Sequence, residues 1–561
     1  MMQFSKNLLL PVALFLSAIY GYAQLAAWNG AFHADNFFQQ WIELGIITYL
    51  YGFLFLIQRP HRWRPVVAAV PVILAYLAQD LYFHFYGRVL RIIEVMELPE
   101  LFAVLPLTYD FLLASVFMVP LIFYLYKIDY RKARLIILGA LPIFTVVLLV
   151  ETTPRAYTYF VESAGNEIIK YSDGKSVESN GRFTMLLYRE AQRIEALADT
   201  APYRNRVAYD REGDTLAAEL KTGGTPRNVH LIVLESFLDP TLFKGAIFSR
   251  DPVHPEFRKL FGDQLGLSIS PVFGGATAQA EFEVLCGVPA FEKLTSVEFN
   301  LFTGSQANCT PGILGRLGYR TVATNAYKPN FFNVQPAYKG IGFQEIYFPQ
   351  EFSASNPTYL KTVDVSNEDF LFDGDLFDQN LDFVVKHIQE HPDQPLMNYI
   401  MTIYGHTPHM LNEEKRPPLV QVSGAREDRH LLMATNQFYY RSQAIAQFVN
   451  KLRTVDPQSL IILVSDHVPP LVYGPITYRE LDYMDNVENS YYHNRLMIIE
   501  NGVPRKYATV HHYNIPQIVF NYLTKGGYCK TEHCAHLDTR YARDKSQYLP
   551  QYYRLMAHAS Q

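Results

Sequence analysis

The first 150 residues carry five apolar runs, and runs of this kind fold as helices buried in lipid or in protein. They lie at Leu8–Trp28, Trp41–Ile57, Val66–Tyr86, Leu105–Tyr126 and Ala133–Val150. A helix needs roughly 20 apolar residues to cross a bilayer, where every backbone amide must be satisfied within its own segment. Each run meets or approaches that length, so residues 1–150 read as a five-helix transmembrane domain. Lys6 before the first run has the look of a secretory leader. More spans follow at once, however, and no convincing cleavage signal lies around Ala23–Ala27. The first run therefore reads as an anchor.

Loop charge orients the bundle. The N-terminus has Lys6, the second loop has Arg59, Arg62 and Arg64, and the fourth has Lys127, Arg131, Lys132 and Arg134. The first loop, Asn29–Gln40, has neither Lys nor Arg, and the third mixes both signs. The alternation puts the N-terminus in the cytoplasm and everything after the fifth span outside. Glu43, Asp80, His84 and Asp110 fall within or at the ends of spans. Ionisable groups are costly in lipid. These four are expected to contact a lipid headgroup or to hydrogen-bond between helices.

Beyond Val150 the pattern changes to short strands and helices. Residues 151–227 read as a linker with an amphipathic juxtamembrane helix, Phe183–Leu197, and residues 228–561 as a catalytic domain. All four cysteines lie in this half. Cys529 and Cys534 could close a small loop, leaving Cys286 to Cys309, as expected in an oxidising compartment. Four free thiols is the alternative. Net charge is −5, and no basic stripe with interleaved aromatics occurs, so no nucleic-acid partner is expected.

Val229–Leu234, Tyr319–Thr324, Met397–Tyr404 and Leu460–Val464 are short apolar runs of the kind that form buried parallel strands. Helical segments at Phe370–His391 and Asn436–Leu452 lie between them. Alternation of this kind implies an α/β domain with a mostly parallel sheet. Ligands bind at the carboxyl ends of such strands. Glu235, His406, Asp466 and His467 all sit at those ends.

Glu235, Asp466 and His467 form a carboxylate–carboxylate–imidazole set suited to one divalent metal: Mn, Zn or Mg. Thr277 follows Gly274-Gly275-Ala276 and opens a helical run, Ala278–Leu285. A hydroxyl at a helix N-terminus faces backbone N–H groups that favour an anionic phosphate. Beside a cation it becomes nucleophilic.

Four stretches carry a resemblance: Val229-His-Leu-Ile-Val-Leu-Glu-Ser-Phe, Gly274-Gly-Ala-Thr-Ala-Gln-Ala-Glu-Phe-Glu-Val-Leu-Cys-Gly, Tyr404-Gly-His-Thr-Pro-His and Val464-Ser-Asp-His. The chain resembles the lipoteichoic acid synthase and phosphoglycerol transferase family of the alkaline-phosphatase/sulfatase superfamily. That resemblance implies a sulfatase-like catalytic domain, with Glu235, Thr277, Asp466 and His467 on the metal. It implies Thr277 as a nucleophile that briefly carries phosphoglycerol from a phospholipid, and His406 as a phosphate contact or proton-transfer group. An envelope glycan or glycolipid would accept the headgroup at the outer face of a bacterial inner membrane.

The family also has an arginine in the Asn330–Gly342 stretch, where this chain has Val334 or Gln335. The donor therefore stays open between phosphatidylglycerol and phosphatidylethanolamine. Lys328 is expected to supply the missing charge, and Asn333 to join it in binding substrate. A phosphoethanolamine transferase and a phosphodiesterase or sulfatase are the alternatives. The last needs a Cys or Ser precursor of formylglycine where this chain has Thr277.

Overall fold

The computed structural model describes residues 2–561 other than 87–88, 99–101, 103–106, 169–172, 224–225, 354–356, 425, 532–533 and 535–544. Leu105, expected to start the fourth span, lies outside the described residues. The chain divides into two compact units, Met1–Asp199 and Thr200–Gln561.

The first unit is helical: α1 Met2–Trp28, α2 Trp41–Leu56, α3 Arg64–Tyr86, α4 Leu107–Lys127 and α5 Ala133–Thr152, then α6 Pro154–Ala164, α7 Asp173–Asn180 and α8 Arg182–Asp199. Among the described residues four helical stretches are long and apolar enough to cross a membrane: Leu8–Trp28, Arg64–His84, Leu107–Lys127 and Tyr130–Thr152. The expected count of five is thus approximate. The second run forms a helix of only 16 residues, about 24 Å at 1.5 Å per residue. Gln40 precedes it without a helical conformation, and the chain turns at Ile57–Gln58.

The membrane acids bind helices together. Glu43 Oε1 accepts from the Tyr76 hydroxyl (2.8 Å) and the Phe183 amide (3.1 Å); Oε2 accepts from the amide and hydroxyl of Thr184 (2.9 and 3.0 Å). Its carboxylate satisfies amides at the N-terminus of α8, where negative charge is favourable. Asp80 accepts two bonds from Arg182 (2.9 and 2.6 Å) and one from Tyr22 (2.8 Å). Gly181 allows this approach. Its φ is +96°, and a Cβ there would lie 2.3 Å from Glu43 Cγ. Of the two expected uses of these acids, hydrogen bonding between helices accounts for Glu43 and Asp80. Among the described residues Asp110 Oδ1 is buried without a hydrogen-bond partner. The expected amphipathic helix is α8, and its buried stripe includes Met185, Tyr188 and Ala191.

The second unit opens with α9, Arg206–Gly223. This stretch, read as linker, is packed structure: the Tyr209 hydroxyl and carbonyl accept from the Asn308 amide and side chain (2.7 Å each). The sheet follows: β1 Val229–Leu234, β2 Gly266–Ile269, β3 Arg320–Asn325, β4 Glu345–Tyr347, β5 Leu396–Met401, β6 Leu460–Ser465, β7 His493–Glu500, β8 Val503–Arg505 and β9 Val510–His511. Among the described residues its order is β9-β2-β7-β6-β1-β5-β3-β4, with β8 on β7. The centre, β6-β1-β5-β3-β4, is parallel, and β7 runs antiparallel to β6 and β2. Every residue of β1, β5 and β6 is buried, as in a sheet covered on both faces.

The helices used below are α10 Thr277–Cys286, α11 Thr310–Arg316, α12 Val334–Ile341, α13 Asp373–Glu390 and α14 Arg429–Val455. The cysteines pair as Cys286–Cys309 and Cys529–Cys534. The first pair ties the end of α10 to the residue preceding α11.

Candidate metal and nucleophile centre

Strand register builds the centre. Val233 lies opposite Met401 on one side and Val464 on the other, and Leu234 lies opposite Ser465. Glu235, Thr402 and Asp466 therefore leave the sheet side by side. The Glu235 amide donates to Thr402 Oγ1 (3.0 Å), and the Asp466 amide to the Leu234 carbonyl (3.1 Å). At Gly405 the next loop comes so close that a Cβ would lie 2.0 Å from the Glu235 carbonyl oxygen. His406 follows, near enough for its charge to act on Glu235.

Thr277 is the first residue of α10, after Gly274 (φ +71°) and Ala276 (φ +59°). Ala276 is in the left-handed region, which is uncommon for a residue with a Cβ and concentrates at functional sites. The turn aims Thr277 Oγ1 at Glu235 Oε2 (3.0 Å) and His467 Nε2 (3.3 Å).

Each ligand candidate is held by one atom and offers another. Glu235 Oε1 accepts from the Ser236 hydroxyl (2.8 Å). Asp466 Oδ1 accepts from the amides of Ser236 (2.7 Å) and His467 (2.6 Å). His467 Nδ1 lies 3.1 Å from the Val468 carbonyl. That carbonyl can only accept, so Nδ1 carries the proton and Nε2 presents a lone pair. Among the described residues no hydrogen bond of ordinary geometry reaches the buried Asp466 Oδ2, and His467 Nε2 lies 3.2 Å from it. One ligand atom from each of Glu235, Asp466 and His467 lies within 4.8 Å of the others.

Burial pushes Asp466 up to about 7. It raises Glu235 as well, and the neighbouring Asp466 charge adds to the effect. Two buried carboxylates with inward-facing oxygens are neutralised by a proton or by a cation between them. The donor set of two carboxylates, one imidazole and one hydroxyl fits a divalent metal.

Ser236 organises both carboxylates, a role its sequence position does not reveal. Its φ is +45°, and from that conformation its amide reaches Asp466 while its hydroxyl reaches Glu235. Partners that orient ligands typically contribute about 10–100-fold to metal affinity. Ser236→Ala is expected to weaken Mn binding by about tenfold, measured by titration calorimetry, with the metal-free melting temperature nearly unchanged.

Beneath the centre, Arg441 of α14 is fully buried and paired with Asp373 of α13 (2.7 Å). One turn along α10 from Thr277, Glu281 accepts from Tyr399 (2.7 Å) and from Tyr338. Burial raises it to about 7.

Two expected substrate-binding residues have other partners. Lys328 Nζ lies 5.2 Å over the Tyr327 ring and makes no ion pair among the described residues. Asn333 is left-handed (φ +56°), and its NH2 donates to the carbonyls of Phe299 (2.6 Å) and Phe302 (2.9 Å). Only its side-chain oxygen, an acceptor, is left for a ligand. Neither residue hydrogen-bonds Glu235, Thr277, Asp466 or His467. Val334 is buried at the start of α12 and Gln335 is exposed. His406 Nδ1 is 2.6 Å from the Thr407 carbonyl, which leaves Nε2 as its free ring nitrogen.

Known proteins were compared with the chain. The sulfatase family model matches residues 227–522, more than half of it. A Rhizobium meliloti (strain 1021) protein, provisionally named for cyclic beta-1,2-glucan modification, is 26% identical over 271 residues, 46% of this chain and 39% of that protein. An uncharacterized Haemophilus influenzae protein is 24% identical over 196 residues, 34% of each chain. The chain thus spans less than half the length of either relative.

Among solved structures, the Streptococcus pyogenes phosphoglycerol transferase GacH is similar with a TM-score of 0.48 and 17% identity, over 65% of this chain and 92% of that one. The Listeria monocytogenes lipoteichoic acid synthase LtaP has a TM-score of 0.44 and 16% identity, over 55% and 77%. The family match covers β1, the Thr277 turn and the Asp466-His467 strand end alike, and the chain belongs to the sulfatase family.

Proposed function

We propose that this membrane protein is a metal-dependent transferase that moves a phosphoglycerol-type headgroup from a phospholipid to an envelope glycan or glycolipid. The observation that carries the reading is the Thr277 hydroxyl. It sits at a helix N-terminus, 3.0 Å from Glu235 Oε2 and 3.3 Å from His467 Nε2. Glu235, Thr277, Asp466 and His467 would hold the metal. When bound, a divalent cation there supplies charge that stabilises a threonine alkoxide and phosphoryl oxygens.

Glu235 Oε2 accepts the Thr277 proton as Oγ1 attacks phosphorus. The bond from phosphorus to the diacylglycerol oxygen breaks, and Thr277 carries the headgroup as a phosphodiester. His406 Nε2 gives the leaving oxygen its proton and then takes one from the acceptor hydroxyl, which displaces Thr277, and Glu235 returns its proton to Thr277 Oγ1. The α10 amides face the phosphate throughout.

The acceptor reading draws support from the Rhizobium meliloti relative, whose name concerns a cyclic glucan. Two observations support a periplasmic catalytic domain and a cytoplasmic N-terminus in the inner membrane. Both disulfides lie in the second unit. The two basic loops also meet at one end of the helical bundle: Arg59 N donates to the Lys127 carbonyl (2.9 Å), and Lys132 Nζ to the carbonyls of Leu56 and Gln58 (2.8 Å each).

The test is to incubate the metal-loaded protein with mixed phospholipids and no acceptor, then map adducts by mass spectrometry. Phosphoglycerol on Thr277 is expected. Phosphoethanolamine there would keep the mechanism and replace the donor. If metal is bound, no adduct forms and Thr277→Ala matches the parent, the transferase reading fails in favour of a hydrolase or a non-catalytic role.

A further inference from the structure

Helix α6 has two apolar faces, and among the described residues the first unit covers only one of them. Tyr157, Thr158 and Val161 are buried. At 100° per residue, Ala156, Tyr159, Phe160 and Ser163 form the opposite stripe, with Arg155 and Glu162 on the edge between. Tyr159 is 72% exposed and Phe160 45%.

We propose that α6 lies flat in the outer interface of the bilayer, with the Ala156–Tyr159–Phe160 stripe among the lipid headgroups and upper acyl chains. Continuity with the spans carries this. Only Thr153 separates α6 from the end of α5, and Leu141, Phe144 and Leu148 along α5 are exposed apolar side chains. At the start of α2, Trp41 donates its indole N–H to the Ala164 carbonyl (2.7 Å), and its ring meets Phe160 edge-on (6.4 Å). Trp41 is 53% exposed, and Trp28, at the end of α1, is 84% exposed. Indole and phenol rings concentrate where hydrocarbon meets headgroups. The basic loops gather at the other ends of α2 and α5, so these aromatics mark the opposite boundary.

Nor can α6 roll to hide the stripe. The Thr158 hydroxyl donates to Glu195 (2.9 Å) and the Tyr188 hydroxyl to Glu162 (2.6 Å), joining α6 to α8. Glu43 and Asp80 in turn join α8 to the spans. The two acids placed within the spans thus hold an interfacial helix in place. This inference is independent of the reaction proposed above.

The chain has no free cysteine among the described residues, so single labelling sites can be introduced. Tyr159→Cys, Phe160→Cys and, as the aqueous control, Arg155→Cys would carry a nitrobenzoxadiazole label in phosphatidylethanolamine–phosphatidylglycerol vesicles. Labels at 159 and 160 are expected to emit further to the blue than the label at 155. They should be quenched by lipid-borne nitroxide and shielded from iodide. Iodide quenching equal to that at 155 would overturn the proposal. Shielding from both quenchers would overturn it too, in favour of a second copy on this face. Ala156→Cys removes no packed atoms and repeats the test if an aromatic replacement fails to fold.

Discussion

Thr277→Ala is expected to abolish headgroup transfer, by on the order of 10⁴-fold or more, because it removes the hydroxyl that the proposed mechanism uses as its nucleophile. Loss of a nucleophile removes a covalent step, so residual turnover should show no adduct on the protein. Thr277→Ser keeps the hydroxyl and should keep measurable transfer. Glu235→Gln makes a sharper comparison. It leaves the hydroxyl in place but removes the proposed proton acceptor and a proposed charged metal ligand, so metal stoichiometry should fall together with activity. Chelation of the parent protein should reproduce this loss, and added Mn or Zn should restore it. Thr277→Ala with parental activity would remove the threonine mechanism, whatever metal the protein holds.

The largest stability effect is expected at Arg441. Its guanidinium is 2% exposed and its partner Asp373 is fully buried. The pair lies directly under the centre, since Arg441 Nη2 also reaches Thr402 Oγ1 (3.4 Å), which holds the Glu235 amide. Arg441→Met would strand the Asp373 carboxylate in the core, and breaking a buried pair typically costs about 3–5 kcal/mol. Removing both charges should recover much of that, so Arg441→Met with Asp373→Leu is expected to be more stable than Arg441→Met alone. The probe must report on the second unit. The three tryptophans, Trp28, Trp41 and Trp63, all lie in the first, so indole fluorescence would miss the transition. Pulse proteolysis or hydrogen exchange of the full chain would detect it.

Much of the α/β unit was legible because its central strands are parallel and buried on both faces. Val229–Leu234 and Leu460–Val464 read as apolar runs, and the register brings Glu235 just after the first and Asp466-His467 just beyond Ser465 of the second to the site. The antiparallel β7 and β2 were not singled out. Asn494 and Arg495 break the apolar run of β7, and β2 is only four residues long. Thr277 was legible through the glycines before it and the apolar helix after it.

Sequence by itself determined the apolar helices at the start of the chain, the strand ends that deliver Glu235, Asp466 and His467, and the hydroxyl at the start of α10. These follow from local periodicity and turn chemistry, which a chain carries in its neighbouring residues. Tertiary structure alone decided what each polar group does once placed. Glu43 became the cap of a helix 140 residues away, because only the folded bundle brings the unsatisfied amides of Phe183 and Thr184 to it. The NH2 of Asn333 was committed to two backbone carbonyls, Ser236 became the clamp on two carboxylates, and Arg441 closed the floor beneath them. Each outcome depends on which buried donor meets which acceptor across long separations in sequence, and desolvation, which leaves few such groups unpaired, makes that choice only when the core forms.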